Sequence, residues 1–89
     1  MRGVMKIRVR LYAFLAERVS KTVQEQGIRA GSPIDLDLPQ GSTLSTLVGH
    51  LALPDGQVKL TVVNGRLREL DYHLQPEDEV GIFPPIAGG

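Results

Sequence analysis

Residues Met5 to Tyr12 alternate strictly, with Met5, Ile7, Val9 and Leu11 on one side and Lys6, Arg8 and Arg10 on the other. A period of two held over this length fits a β-strand with one face on a core and the other in solvent. The pattern returns in Ile34-Asp35-Leu36-Asp37-Leu38, which reads as a second strand. Between the two, Ala13 to Val19 changes to helical spacing. Leu15 and Val19, or Ala13 and Ala16, would share a face, so a short helix is expected to begin there. The 20–33 stretch is long for a small domain and reads as an insertion, a loop or further helix. Gly27 and Gly31-Ser32-Pro33 end any continuation.

The remaining elements follow from local signals. Pro39-Gln40-Gly41 closes the second strand, and Ser42 or Thr43 can cap the next helix with a side-chain oxygen. Leu44, Leu47, Val48 and Leu51 form the apolar stripe of that helix, which Pro54-Asp55-Gly56 stops. Val58 to Val63 is a β-branched, apolar strand candidate. Asn64-Gly65 then supplies the two positive-φ residues of a type I′ hairpin turn. Arg66-Leu67-Arg68 returns as the partner strand, with Leu67 expected on the buried face. Leu70, Tyr72 and Leu74 are expected to plug an irregular connection. Gln75-Pro76-Glu77-Asp78 reads as a turn, and Glu79 to Phe83 as the last strand. The order β, α, β, α, β, β, β, with its segregated hairpin, implies an α+β domain.

Composition narrows the chemistry. A length of 89 residues makes one domain with a modest core and little room for an enclosed active site. Zero Cys excludes a disulfide scaffold, a Cys zinc site and a thiol nucleophile. A net charge of zero argues against a nucleic-acid binder. The total hides a split, with +5 in residues 1–29 and −5 in the rest. Either the two segments screen each other, or the run Glu69, Asp71, Glu77, Asp78, Glu79 docks on a basic partner surface. No apolar stretch reaches the span of a bilayer and the start lacks a signal-peptide pattern, so a cytoplasmic protein without membrane contact is expected.

Few side chains offer a reactive constellation. His50 and His73 stand alone, without a second ligand at metal spacing, so no metal site is expected. The glycines form no phosphate-binding motif, and Glu77-Asp78-Glu79 reads as a solvated turn. The C-terminal end is different. Pro84 and Pro85 lack N–H donors, so an interior strand cannot continue past Phe83. Successive prolines favour an extended shape that carries the tail away from the body. Ile86, Ala87, Gly88 and Gly89 then shrink to a thin end able to enter a narrow channel. A glycine carboxylate has no side chain to crowd its carbonyl carbon. Once activated as an acyl-adenylate, it could accept sulfur or an amine.

These residues carry a family likeness. Val80-Gly81-Ile82-Phe83-Pro84-Pro85-Ile86-Ala87-Gly88-Gly89 resembles the tail of the small subunits of molybdopterin synthase. So do Val62-Val63-Asn64-Gly65 with Leu74-Gln75-Pro76-Glu77-Asp78-Glu79-Val80, Val9 to Glu17, and Leu38 to Leu44. The wider group is the ubiquitin-like β-grasp sulfur carriers, including the thiamine-pathway carrier. The resemblance implies a mixed sheet of four to five strands on one main helix. Residues 1–83 would form the domain, with 20–33 as an insertion or loop, and 84–89 an extended tail. It implies that an E1-like adenylyltransferase activates Gly89 with ATP, and that a donor such as a cysteine desulfurase or rhodanese-like protein makes the thiocarboxylate. No permanently bound cofactor is implied. Phe83 would dock on the partner, while Pro84, Pro85, Ile86, Ala87 and Gly88 thread its active site. The catalytic residues would lie on the large synthase subunit, where sulfur passes to cyclic pyranopterin monophosphate. The long 20–33 stretch departs from the family's short connection and leaves open a tungsten-pterin, thiamine or other thiolation route, or a ubiquitin-like modifier.

Overall fold

A computed structural model describes residues 3–17, 29–53 and 56–85. The opening alternation forms β1 (Val4–Leu11), with Met5, Ile7, Val9 and Leu11 buried and the intervening side chains on the other face. β1 pairs antiparallel with β2 (Pro33–Pro39), Val4 opposite Pro39 and Arg10 opposite Pro33. Its other side pairs in parallel with β5 (Glu79–Phe83), Arg8 opposite Glu79 and Leu11 opposite Ile82. β3 (Leu60–Val63) runs antiparallel to β5, and β4 (Arg66–Leu67) closes the far side, giving the order β2-β1-β5-β3-β4. The first and last strands thus sit together inside a mixed sheet, and the domain is of the expected α+β class. No helix among the described residues is long and apolar enough to cross a membrane.

One face of the sheet is covered by α1 (Leu44–Leu51), whose Leu44, Leu47 and Leu51 are fully buried against it. Fully burying each such side chain contributes roughly 1.5–3 kcal/mol. Thr43, not Ser42, is the cap: Thr46 N donates to Thr43 Oγ1 and Thr43 N to Thr46 Oγ1, each at 3.2 Å. Ser42 instead donates its hydroxyl to the Pro39 carbonyl at 2.6 Å. The first helical N–H groups are also satisfied, with Leu44 N donating to Tyr72 O at 3.1 Å and Ser45 N to Leu70 O at 2.9 Å. The connection after β4 is therefore moored to the helix start. The helix ends at Ala52, which takes the left-handed conformation (φ 57°) usual for glycine at such a stop.

Several expectations need correction. The element after β1 is a 3-10 helix, Ala13–Glu17, rather than the first turns of an α-helix. Ala13 at φ 53° swings the chain off the sheet, and Leu15 N donates to Tyr12 O at 3.2 Å in the tighter i to i+3 pattern. Leu15 and Ala16 are buried as their spacing suggests, while Val19 lies outside the described residues. Residues 20–28 of the expected insertion also lie outside them. Its last residue, Pro33, belongs to β2. Gln40 N donates to Gly3 O at 3.1 Å, so that pair is the hydrogen-bonded kind. Counting along the register, Pro33, Asp35, Asp37 and Pro39 turn their backbone N away from β1, where a missing N–H costs nothing.

The third strand starts at Leu60 rather than Val58, and Leu60 is exposed. Leu67 does not face the core but is 66% exposed. The two-residue turn explains this, with Asn64 at φ 51° and Gly65 at φ 84° setting Val63 opposite Arg66 and Val62 opposite Leu67. Val63 faces α1, so Val62 and Leu67 face away from it. Leu74 is buried and Tyr72 half-buried, as expected of plugs, but Leu70 is exposed. Asp78 is not solvated: it is 6% exposed and accepts from Asn64 Nδ2 at 2.9 Å and Gln75 N at 2.8 Å. Asn64 Oδ1 in turn accepts from Glu79 N at 3.0 Å, tying the hairpin turn to the start of β5.

Candidate functional site

The tail leaves from β5, an interior strand. Tyr12 N donates to Ile82 O at 3.1 Å from one side, and Lys59 N to Phe83 O at 2.8 Å from the other. The backbone is therefore fixed between two neighbours up to Phe83. Pro84 is buried and Pro85 is exposed. Ile86, Ala87, Gly88 and Gly89, the remaining expected site residues, lie outside the described residues.

The face of the sheet opposite α1 divides into two zones. Over β2 and β1 it is charged, with Arg8 Nε 3.4 Å from Asp35 Oδ1 and Arg10 Nη1 3.2 Å from Glu79 Oε1. Both pairs are half-exposed, and such pairs are worth under about 1 kcal/mol each. Over β5, β3 and β4 the face is apolar, carrying Val62, Leu60, Leu67 and the Phe83 ring. Phe83 stacks on Tyr12 with 4.3 Å between ring centroids and 1° between planes. An open concavity of about 470 Å³ lies between the aromatic pair and the Arg10–Glu79 pair, with Val62 and Gly81 in its lining. Of these apolar side chains, Leu60 and Leu67 are exposed and Val62 and Phe83 half-buried.

Sequence reasoning singled out Phe83 but not its neighbours, Tyr12 stacked on its ring and Leu60 opposite it on β3. The available signal was parity: Gly81 and Phe83 alternate with the buried Val80 and Ile82 and so fall on the face of β5 away from α1, the face that Tyr12 takes just after β1. The expected acidic docking run is divided. Glu69, Asp71 and Glu77 are exposed, Glu79 pairs with Arg10, and Asp78 is spent inside the hairpin lock. Among the described residues, no group of three or more His, Cys, Asp or Glu could hold a metal ion.

A mixed five-stranded sheet on one helix, with the tail leaving an interior strand, defines a ubiquitin-like β-grasp protein. The model of the ThiS family matches residues 9–89. The molybdopterin synthase sulfur carrier subunit of Escherichia coli (strain K12) is 35% identical over 83 residues, covering 93% of this chain and 99% of that one. The chain belongs to the ThiS family and is a ubiquitin-like sulfur carrier of the ThiS type. Among solved structures, SAMP1 from Haloferax volcanii shares the fold at a TM-score of 0.64 and 24% identity, over 94% of this chain and 99% of that one. The Haloferax volcanii HVO 2177 protein has a TM-score of 0.63 at 27% identity, over 98% of this chain and 89% of that one.

Proposed function

We propose that this chain carries sulfur for the building of molybdopterin, as the small subunit of a two-subunit synthase. An E1-like adenylyltransferase joins the Gly89 carboxylate to the AMP moiety of ATP and releases pyrophosphate. The outer sulfur of a persulfide on a donor, such as a cysteine desulfurase or rhodanese-like protein, displaces AMP to give an acyl disulfide, and a second thiol of the donor system cleaves its S–S bond, leaving the thiocarboxylate on Gly89 and a disulfide on the donor. Phe83 and the apolar zone around it dock on the activating enzyme and then on the large subunit, which supplies the catalytic residues. Pro84 to Gly88 carry the terminal sulfur to cyclic pyranopterin monophosphate. The observation that carries this reading is the similarity to the E. coli carrier subunit over nearly its whole length, with the family match running through Gly89. The geometry supports it, because a rigid strand end beside an exposed apolar face suits a body that docks while its end reacts elsewhere. The absence of Cys accords with sulfur carried on a carbonyl rather than on a side chain.

The test is to incubate the chain with ATP and an extract that thiolates a known carrier, then weigh the 69–89 peptide released by trypsin. That peptide contains no methionine, so an oxygen-to-sulfur gain there is not methionine oxidation. Sulfur on Gly89 is expected, with passage to the pterin when a large subunit is added. A ladder of isopeptide conjugates would point to a modifier instead, and no change would sink the carrier reading. Deleting Gly89 should abolish transfer and leave the fold intact.

A further inference from the structure

We infer that Tyr12 and Gly81 are positioning residues that set how Phe83 presents the tail, an inference that rests on the carrier reading above. The backbone bonds at Ile82 and Phe83 fix the strand but not the Phe83 ring. The ring is fixed by Tyr12, whose own ring lies parallel to it at 4.3 Å. Gly81 makes this arrangement possible. A Cβ built there would lie 3.3 Å from Tyr12 Cε2 and 3.4 Å from Phe83 Cε1, closer than an ordinary contact, so the rings would have to shift by a few tenths of an ångström to admit it. The other edge of the Tyr12 ring meets a second glycine: a Cβ on Gly31 would lie 3.8 Å from Tyr12 Cε1. Of the two, only Gly81 is close enough for a side chain to disturb the ring, and Tyr12 braces the last residue before the proline stem.

The stack lies on the face of the sheet away from α1, so the core does not need it. The buried leucines and valines of the other face are complete without either ring. Its role is to hold one side chain, and through it the start of the tail, in a single orientation before docking. A stacked aromatic pair contributes about 0.5–1.5 kcal/mol beyond its buried area, which corresponds to a roughly two- to tenfold effect on a binding constant.

The experiment compares wild type with Tyr12→Ala, Tyr12→Phe, Gly81→Ala, Phe83→Ala and the Tyr12→Ala/Phe83→Ala double variant. NMR of the isolated chain reads the Phe83 ring-proton shifts. Thiocarboxylate formation with ATP, in an extract that thiolates the E. coli carrier subunit, gives kcat and KM. Tyr12→Ala should remove the stacking shift and raise KM roughly two- to tenfold with kcat unchanged. Tyr12→Phe should restore both readouts. Gly81→Ala should displace the ring shifts and raise KM less. The double variant should match Phe83→Ala alone, because Tyr12 acts through Phe83. Multiplying effects in the double variant, or ring shifts and KM unmoved by Tyr12→Ala, would overturn the inference. A wild-type chain that never thiolates would refute the carrier reading and the role in transfer. That failure is recognisable because the ring shifts report the stack without any transfer.

Discussion

The lock between Asn64 and Asp78 gives a stability prediction that can be worked from its parts. Replacing Asn64 with alanine removes the hydrogen bond from Nδ2 to Asp78 Oδ1 at 2.9 Å and the one that Oδ1 accepts from Glu79 N at 3.0 Å. The first goes to a buried carboxylate, a class worth about 1.5–3 kcal/mol, and the second is neutral, worth about 0.5–1.5 kcal/mol. Alanine at φ 51° adds about 1 kcal/mol of backbone strain. Asn64 is exposed, so water recovers part of the loss, and a net cost of about 3 kcal/mol is expected for Asn64→Ala. Asn64→Gly keeps the conformation and loses only the bonds, so it should cost about 1 kcal/mol less. Urea unfolding measures both. With a slope of about 1.5 kcal/mol per molar, Asn64→Ala should lower the midpoint by about 2 M without changing the slope. A loss below about 1 kcal/mol, or a glycine variant no better than the alanine one, would refute the assignment of the lock.

Three further substitutions test other parts of the structure. Ala52→Gly should raise stability by about 0.5–1 kcal/mol, seen as a higher thermal midpoint, because the helix stop is left-handed at φ 57°. Leu47→Ala should cost about 2–5 kcal/mol in urea unfolding, because Leu47 is fully buried under the sheet. Leu67→Ala should change stability by no more than about 0.5 kcal/mol despite the identical chemistry, because Leu67 is 66% exposed.

The legible parts of this fold were those written in local periodicity. The alternation from Met5 and the run Glu79 to Phe83 give β1 and β5 almost to the residue. The leucine spacing gives α1, and Asn64-Gly65 gives the hairpin. The errors arose where a side chain's surroundings come from elsewhere in the chain. Leu67 is apolar, but the two-residue turn places it with Val62 on the face without a helix. Asp78 sits in an acidic run, but its donors are Gln75 and Asn64, the latter 14 positions away. The site divides in the same way. Phe83 was singled out from the prolines after it. Tyr12 was not, because its contact with Phe83 spans nearly the whole chain and depends on the parallel pairing of the first and last strands.

The prolines that bound β2 also govern how the sheet meets other molecules. Along its outer rim, Pro33, Asp35, Asp37 and Pro39 direct their backbone N outward, and the two prolines have no hydrogen to offer. An approaching strand would find donors at Asp35 and Asp37 alone, each beside its own exposed carboxylate. Strand addition needs a regular ladder of donors and acceptors, and this rim supplies a broken one. The chain can thus be crowded with copies of itself without nucleating a shared sheet along β2. The same interruption denies cross-β stacking the continuous backbone pairing it needs along this edge.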